Sequence, residues 1–258
     1  MSSQDLPLNS FSSAGESEFQ DIPRSSNIKA FKKVNFNTAS ASDYMSNEAY
    51  KALRTNLIFC GNDIKTVVLT SNGENEGKST ISIELTKSLA ESGKKTLLID
   101  ADMRKSAMLK KGVRAGDVEG LSEVLSGLCD ASDVIYNTQD DNFDVIFSGR
   151  FPPNPVELIG NGRFEELVKT FRDEYDYIII DSPPLGVVID AAVISSFCDG
   201  AIIVISDRKV PRAMALNVKE QLEKSGCKIL GAVINETDKK AARYYKKGYY
   251  GKGYRYGE

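Results

Sequence analysis

Ten residues, Ser71-Asn72-Gly73-Glu74-Asn75-Glu76-Gly77-Lys78-Ser79-Thr80, separate a short apolar run from a helix-like one. They approach the pattern G-x-x-x-x-G-K-[ST], with Asn72 in the first glycine position. Asn is the least costly substitute where a left-handed backbone is wanted, and Gly73 follows to help the turn. In this setting the peptide N–H groups of Asn75 to Thr80, including Glu76 and Gly77, are expected to cradle phosphate oxygens, with the helix dipole behind them. Lys78 would neutralise the β- and γ-phosphates of a nucleotide, and Ser79 would ligate Mg²⁺. Two further apolar runs end in acids: Leu97-Leu98-Ile99-Asp100-Ala101-Asp102-Met103-Arg104 and Tyr177-Ile178-Ile179-Ile180-Asp181-Ser182-Pro183-Pro184. Strand alternation puts Asp100 and Asp102 on one face. Each Asp taken singly reads equally well as a helix cap after a strand. Two carboxylate clusters beside one phosphate loop instead suit a Mg-nucleotide site, where one group holds the metal or its waters and another receives a proton.

Composition narrows the alternatives. The 258-residue chain has no His and no Trp, which excludes Ser-His-Asp and Cys-His nucleophile systems and His-ligated zinc. Cys60, Cys129, Cys198 and Cys227 form no C-x-x-C pair and read as buried free thiols in a reducing compartment. Neither a membrane-spanning run nor a signal peptide is present, so a cytoplasmic location is expected.

The elements that must position these residues follow from periodicity. Strands are expected at 66–70, 96–101, 143–148, 177–181, 201–206 and 228–235, several of them continuously apolar and hence covered on both faces. Helices are expected at 78–92, 163–174, 188–198 and 212–225, with Gly93 and Gly226 just past the first and last. Strand–helix alternation points to an α/β fold with a doubly wound, mostly parallel sheet. Its chemistry belongs at the carboxyl edge of the strands, where all three motifs sit.

Three segments are expected: a polar arm over 1–43, a compact domain over 44–237 and a mobile tail over 238–258. The net charge of −3 divides unevenly, because residues 239–258 carry +6 and the remainder −9. The same tail holds Tyr244, Tyr245, Tyr249, Tyr250, Tyr254 and Tyr256, six of the 11 tyrosines. By composition alone this is a solvated basic tail, or an RNA-binding one in which rings stack and cations meet phosphate.

The apolar-run–Asp-x-Asp-x-Arg and apolar-run–Asp-Ser-Pro-Pro motifs resemble the deviant P-loop group of partitioning ATPases, dinitrogenase reductase and bacterial tyrosine kinases. Within that group, residues 44–258 most resemble the kinases of capsule and exopolysaccharide synthesis in their cytoplasmic Gram-positive form. The signature Lys of the partitioning ATPases is absent at Gly73, and Cys129 alone supplies no iron–sulfur ligand set. Ser148-Gly149, followed by Pro152-Pro153-Asn154-Pro155-Val156-Glu157-Leu158, is similar to a kinase segment.

The resemblance implies ATP and Mg²⁺ as cofactors, with Lys78, Asp100, Asp102, Asp181 and Arg104 as catalytic residues. It puts Ser79, Asp102 and Asp181 around the metal, and it makes Asp100 the candidate base, a role Asp102 could exchange with it. Arg104 would brace the loop or contact phosphate, and Asn235 would read the adenine. The tail tyrosines become an autophosphorylation cluster that enters a neighbour's site.

Glu48, Lys51 and Arg54 fall on adjoining turns of a helix that Ser46 or Asn47 can cap. Spacing alone makes them a self-paired charged face. The resemblance makes them a subunit interface of a ring, with Lys51 in place of an Arg whose two-pronged pairing an ammonium cannot reproduce. It further implies a separate membrane adaptor that recruits and activates the kinase, unless residues 1–40 carry a fused activator segment, and other proteins as tyrosine substrates. The competing readings are a nucleotide-switched positioning ATPase and, third, a nucleic-acid-binding module. The acidic remainder of the chain argues against the latter, so no nucleic-acid partner is expected.

Overall fold

The structure is a computed structural model that describes residues 34–36, 44–108, 118–207 and 210–237. The tail with its six tyrosines and nearly all of the arm fall outside the described residues.

Among the described residues seven strands form one sheet in the order β3-β4-β2-β5-β1-β6-β7. They are β1 (Thr66–Ser71), β2 (Thr96–Asp100), β3 (Tyr136–Asn137), β4 (Phe143–Ile146), β5 (Tyr177–Asp181), β6 (Gly200–Ser206) and β7 (Ile229–Asn235). Every pairing is parallel except the short β3–β4 contact. β1, β2, β4 and β5 are buried throughout, which explains their lack of a polar alternation: helices cover both faces.

One face receives α1 (Tyr44–Phe59) and α2 (Lys78–Glu91), whose Leu57, Ile81, Leu85 and Leu89 pack on Val67, Leu69, Leu98 and Ile179. The other face receives α3 (Leu121–Leu125), α4 (Pro155–Gly160), α5 (Arg163–Glu174), α6 (Asp190–Ser195) and α7 (Arg212–Lys224). Phe164, Ile194 and Leu222 from these helices meet Val68, Ile99 and Ile180. Period two along each strand divides its residues between the two cores.

α2 ends as its sequence predicts. Gly93 is left-handed at φ 84, its N–H donates to the Ala90 carbonyl at 2.9 Å, and the Lys94 N–H reaches back to Leu89 at 3.3 Å. Other local expectations change. α1 begins at Tyr44, so Ser46 and Asn47 lie inside the helix rather than capping it. α6 covers only Asp190–Ser195 of the expected 188–198, because Pro183 and Pro184 hold the preceding chain in a turn before the helix starts. All four cysteines are free; Cys227 is buried and the other three are partly exposed.

Residues 34–36, within the expected arm, lie against the sheet. The Val34 N–H donates to the Asn137 carbonyl at 3.0 Å, and Phe36 stacks on Phe143 with ring centroids 5.8 Å apart.

Candidate functional site

The crossover from β1 into α2 carries the glycine-containing loop, and its left-handed residues are not where the pattern placed them. Asn75 (φ 58) and Gly77 (φ 93) adopt positive φ, whereas Asn72 and Gly73 do not. The residue type was right for the loop, but the turn falls three positions later. Asn72 is constrained differently: its carbonyl packs so close to Gly186 that a Cβ there would lie 2.2 Å from it. Gly77 has a similar constraint, since a Cβ would fall 2.0 Å from Asn235 Nδ2.

No side chain caps α2, and its first turn contains no acid. Its first-turn N–H groups point toward the loop and, with the positive end of the helix dipole, favour an anion. Glu76 shapes the loop rather than the cavity. Its side chain is buried, and its Oε1 accepts the Gly73 N–H. Burial pushes this carboxyl up, opposed by the Gly73 and Ser206 amides and by Lys78.

β2 and β5 deliver two carboxyl groups side by side at the sheet's carboxyl edge, with Asp100 and Asp181 as register partners. Both are buried. Asp181 accepts from Ser82 Oγ at 3.2 Å and lies near the Ser79 hydroxyl. Burial raises its proton affinity, and the Lys78 ammonium and these hydroxyls pull it back. Asp100 accepts from Ser106 Oγ through Oδ2 and from the Asp102 N–H at 3.1 Å through Oδ1. Burial and the neighbouring Asp181 charge push its carboxyl well above the ordinary 3.8.

Asp102 does not continue the strand face. β2 stops at Asp100, and Asp102 caps the next turn, its Oδ1 accepting the Arg104 N–H at 3.2 Å and the Lys105 N–H at 2.9 Å. Asx capping of this kind competes with strand pairing, and here it wins.

A cavity of about 550 Å³ opens above these groups. Gly77, Lys78, Ser79, Thr80, Asp102 and Arg104 line it, as do Asn75 and Asn235. Asp100 and Asp181 are buried and stand outside the lining. Asn235 ends β7 with its amide donating to the Glu76 carbonyl at 2.9 Å, which ties the far strand to the phosphate loop. Among the described residues, then, the structure gathers every predicted loop and acidic residue at one place. Glu48, Lys51 and Arg54 stand apart on α1, where Lys51 pairs with Glu48 at 2.9 Å and Arg54 donates to the Ser88 carbonyl at 2.6 Å.

Three residues that hold the site's charged groups in place escaped sequence reasoning. Ser82 and Ser106 supply the hydroxyls that hold Asp181 and Asp100. Asp190 takes the Arg104 guanidinium in a two-pronged pair at 2.8 and 3.0 Å. Only Asp190 carried a signal, as an acid opening a helical stretch, and that signal reads as a cap.

Comparison with known proteins identifies the arrangement. The AAA-domain family model matches residues 64–215. The tyrosine-protein kinase CpsD of Streptococcus agalactiae is 43% identical over 205 residues, covering 80% of this chain and 90% of that protein. The chain belongs to the bacterial tyrosine kinases. A second bacterial tyrosine kinase, YwqD of Bacillus subtilis, is 36% identical over 209 residues, covering 80% and 87%. Among solved structures, the kinase domain of the Escherichia coli tyrosine kinase ETK superposes with a TM-score of 0.70 at 30% identity, covering 83% of this chain and 80% of that one. The chimerical protein CapA2B2 gives 0.72 at 34%, covering 77% and 87%. The division protein MinD of Pyrococcus horikoshii, at 24% identity and TM-score 0.57, shares the fold. Membership in this P-loop kinase family implies nucleotide binding.

The cavity fits Mg-ATP. Its phosphate end has an uncapped helix start, a left-handed glycine with no room for a Cβ, and a lysine. The donor set around Ser79, Asp102 and Asp181 is all oxygen, as a hard cation requires. Among the described residues no group of three or more His, Cys, Asp or Glu could hold a metal by itself. An ion here would complete its shell with phosphate oxygens and water.

Proposed function

We propose that this bacterial tyrosine kinase transfers the γ-phosphoryl group of Mg-ATP to tyrosine hydroxyls, beginning with its own C-terminal cluster. The observation that carries the reading is the convergence of Lys78, Ser79, Asp102 and Arg104 on one cavity, with the buried Asp181 close to Lys78 and Ser79. Ser79 would ligate Mg²⁺ and the buried Asp181 would act on it through water, and the ion would neutralise charge building on the transferred group. Lys78 and the first-turn amides of α2 bind and orient the phosphates. Asn75, Glu76, Gly77 and Thr80 complete the loop around them, and Asn235 closes the adenine side.

Geometry supports Asp102 rather than Asp100 as the acceptor of the tyrosine proton. Asp102 lines the cavity and commits Oδ1 to two backbone amides, which leaves Oδ2 for the proton. Asp100 is fully buried and bonded to Ser106, so it acts through the turn it anchors. Tyr244, Tyr245, Tyr249, Tyr250, Tyr254 and Tyr256 are the proposed acceptors. The +6 charge of their segment against −9 elsewhere supports approach of one copy's tail to another copy.

Assembly through Glu48, Lys51 and Arg54, a membrane adaptor that recruits and activates the kinase, and control of capsular or extracellular polysaccharide synthesis complete the reading. Its support is the likeness to the CpsD kinases. Among the described residues no helix is long and apolar enough to cross a membrane.

The test is intact and peptide mass spectrometry after incubation with Mg-ATP and an activator peptide, for wild type, Lys78→Met and a variant with the six tail tyrosines changed to Phe. Phosphate on residues 244–256 that disappears in Lys78→Met is expected. Hydrolysis of ATP without phosphotyrosine would overturn the reading in favour of a positioning ATPase.

A further inference from the structure

Two Arg–Asp pairs hold this domain at opposite edges of its sheet. At the amino edge, Asp199 Oδ2 accepts the Lys65 and Thr66 N–H groups, each at 2.8 Å, as well as Arg172. That pair closes the start of β1 onto α5 and has no residue at the cavity. At the carboxyl edge, Asp190 accepts Arg104 Nε at 2.8 Å through Oδ2 and Nη2 at 3.0 Å through Oδ1. The Asp190 side chain is 1% exposed and that of Arg104 is 39% exposed.

A buried carboxylate costs desolvation, so an ion pair of this kind is weak evidence for stability. What distinguishes it is the element it fixes. Arg104 sits in the turn after β2, with neither strand nor helix around it. Within that turn, Asp102 Oδ1 accepts the N–H groups of Arg104 and Lys105. The position of the guanidinium and that of the Asp102 carboxylate are therefore coupled through two peptide units. The fork spends Nε and one side of Nη2 on Asp190, which leaves Nη1 and the other Nη2 hydrogen for the cavity that Arg104 lines.

We propose that Asp190 is a positioning residue for phosphoryl transfer: it clamps Arg104 so that the 102–105 turn holds Asp102 and the remaining guanidinium donors at the cavity wall. The proposal rests on the cavity being the phosphoryl-transfer site. Asp190 touches neither nucleotide nor tyrosine; it acts through Arg104. Tolerances at reacting groups are tight, and a displacement of about 1 Å costs about a hundredfold in rate.

The experiment uses the full chain as wild type, Asp190→Asn, Arg104→Lys, the double variant and Asp199→Asn. It measures kcat and KM for ATP in tyrosine phosphorylation and in hydrolysis, the affinity for a fluorescent ADP analogue, and Tm. Asp190→Asn keeps the shape but loses the charge and one acceptor, whereas Arg104→Lys loses the fork without leaving Asp190 without a cation. Each is expected to lower kcat by about ten- to a hundredfold, with ADP affinity changed less than about threefold. The double variant should be no slower than the worse single one, because both break the same clamp. Asp199→Asn should lower Tm and leave kcat intact.

The proposal is overturned if Asp190→Asn resembles Asp199→Asn, or if the two kcat losses multiply. Should Asp190→Asn not fold, Asp190→Glu, which keeps the charge but moves the acceptors away from Arg104, carries the same test. If wild type phosphorylates no tyrosine, the proposed function fails, and the hydrolysis rates still decide the clamp.

Discussion

Asp100 and Asp181 are register partners on adjacent parallel strands, both buried and outside the cavity lining. Two carboxyl groups so placed cannot both ionise cheaply. Burial acts first on each of them; the neighbouring Asp181 charge adds to the shift at Asp100, whereas at Asp181 Lys78 opposes it. The arrangement stores unfavourable charge where a cation and a cationic side chain are needed, and it does so at the expense of the empty fold.

The first prediction concerns that stored charge. Because the Asp100 pKa is higher folded than unfolded, its contribution to stability is fully present below 3.8 and is lost as pH rises through the folded value. Asp100→Asn should therefore raise Tm of the nucleotide-free protein at pH 7 to 8, about 2–4 °C for each kcal/mol relieved. The gain should fade as pH falls toward 4. Calorimetry across this range checks it, and a variant less stable than wild type at pH 8 would count against the charge argument. Tyrosine phosphorylation by the same variant should fall, since the Asp102 N–H and Ser106 hydroxyl both bond to Asp100.

A second prediction follows from the loop. Gly77 combines φ 93 with a Cβ position 2.0 Å from Asn235 Nδ2. Gly77→Ala incurs the left-handed penalty, about 1–2 kcal/mol, and displaces the amide that holds the Glu76 carbonyl. Nucleotide affinity should drop at least about tenfold. Combining it with Asn235→Ala should restore only part of the loss, because the backbone penalty remains. Titration with a fluorescent ADP analogue measures both effects.

These sites also show what could be read before the fold was known. Tyr177–Asp181 is continuously apolar up to its acid, so its burial on both faces and its end at the functional edge followed from the residues themselves. The same held for Lys78 and Ser79, fixed by a short-range pattern at a helix start. Asn72 shows the limit. Residue type marks a loop that needs a left-handed turn, but which peptide turns depends on what crowds it, here Gly186 against the Asn72 carbonyl. Asp102 shows another, since the choice between continuing a strand and capping a turn is settled by the bonds its carboxylate finds at Arg104 and Lys105. The Asp190–Arg104 pair joins positions 86 residues apart, and no local periodicity reports a partner at that distance.

The third prediction concerns α1. Lys51 and Glu48 pair at 2.9 Å with both side chains about half exposed, and Arg54 is engaged with the Ser88 carbonyl near the end of α2. If this face joins subunits, Lys51→Arg should tighten association about two- to fivefold, the range of an exposed ion pair. A guanidinium can hold Glu48 and a neighbour's carboxylate at once, which an ammonium does less well. Sedimentation velocity over a concentration series reads the shift. No change would mean that the pair serves only its own helix.

The fourth prediction uses the charge of the tail. Residues 239–258 carry +6 and the rest of the chain −9, so unmodified tails are drawn to other copies. Each phosphotyrosine adds about −1.5 to −2 charges, and about three or four would cancel the tail's excess. Phosphorylation should then abolish the attraction and reverse it once five or six sites are filled. Protein phosphorylated to different extents should sediment as progressively smaller species, with the largest step near three to four phosphates per chain. Raising the salt should weaken assembly of the unmodified protein and leave protein carrying about three to four phosphates per chain unchanged. Identical sedimentation of modified and unmodified protein across concentrations would separate autophosphorylation from control of assembly.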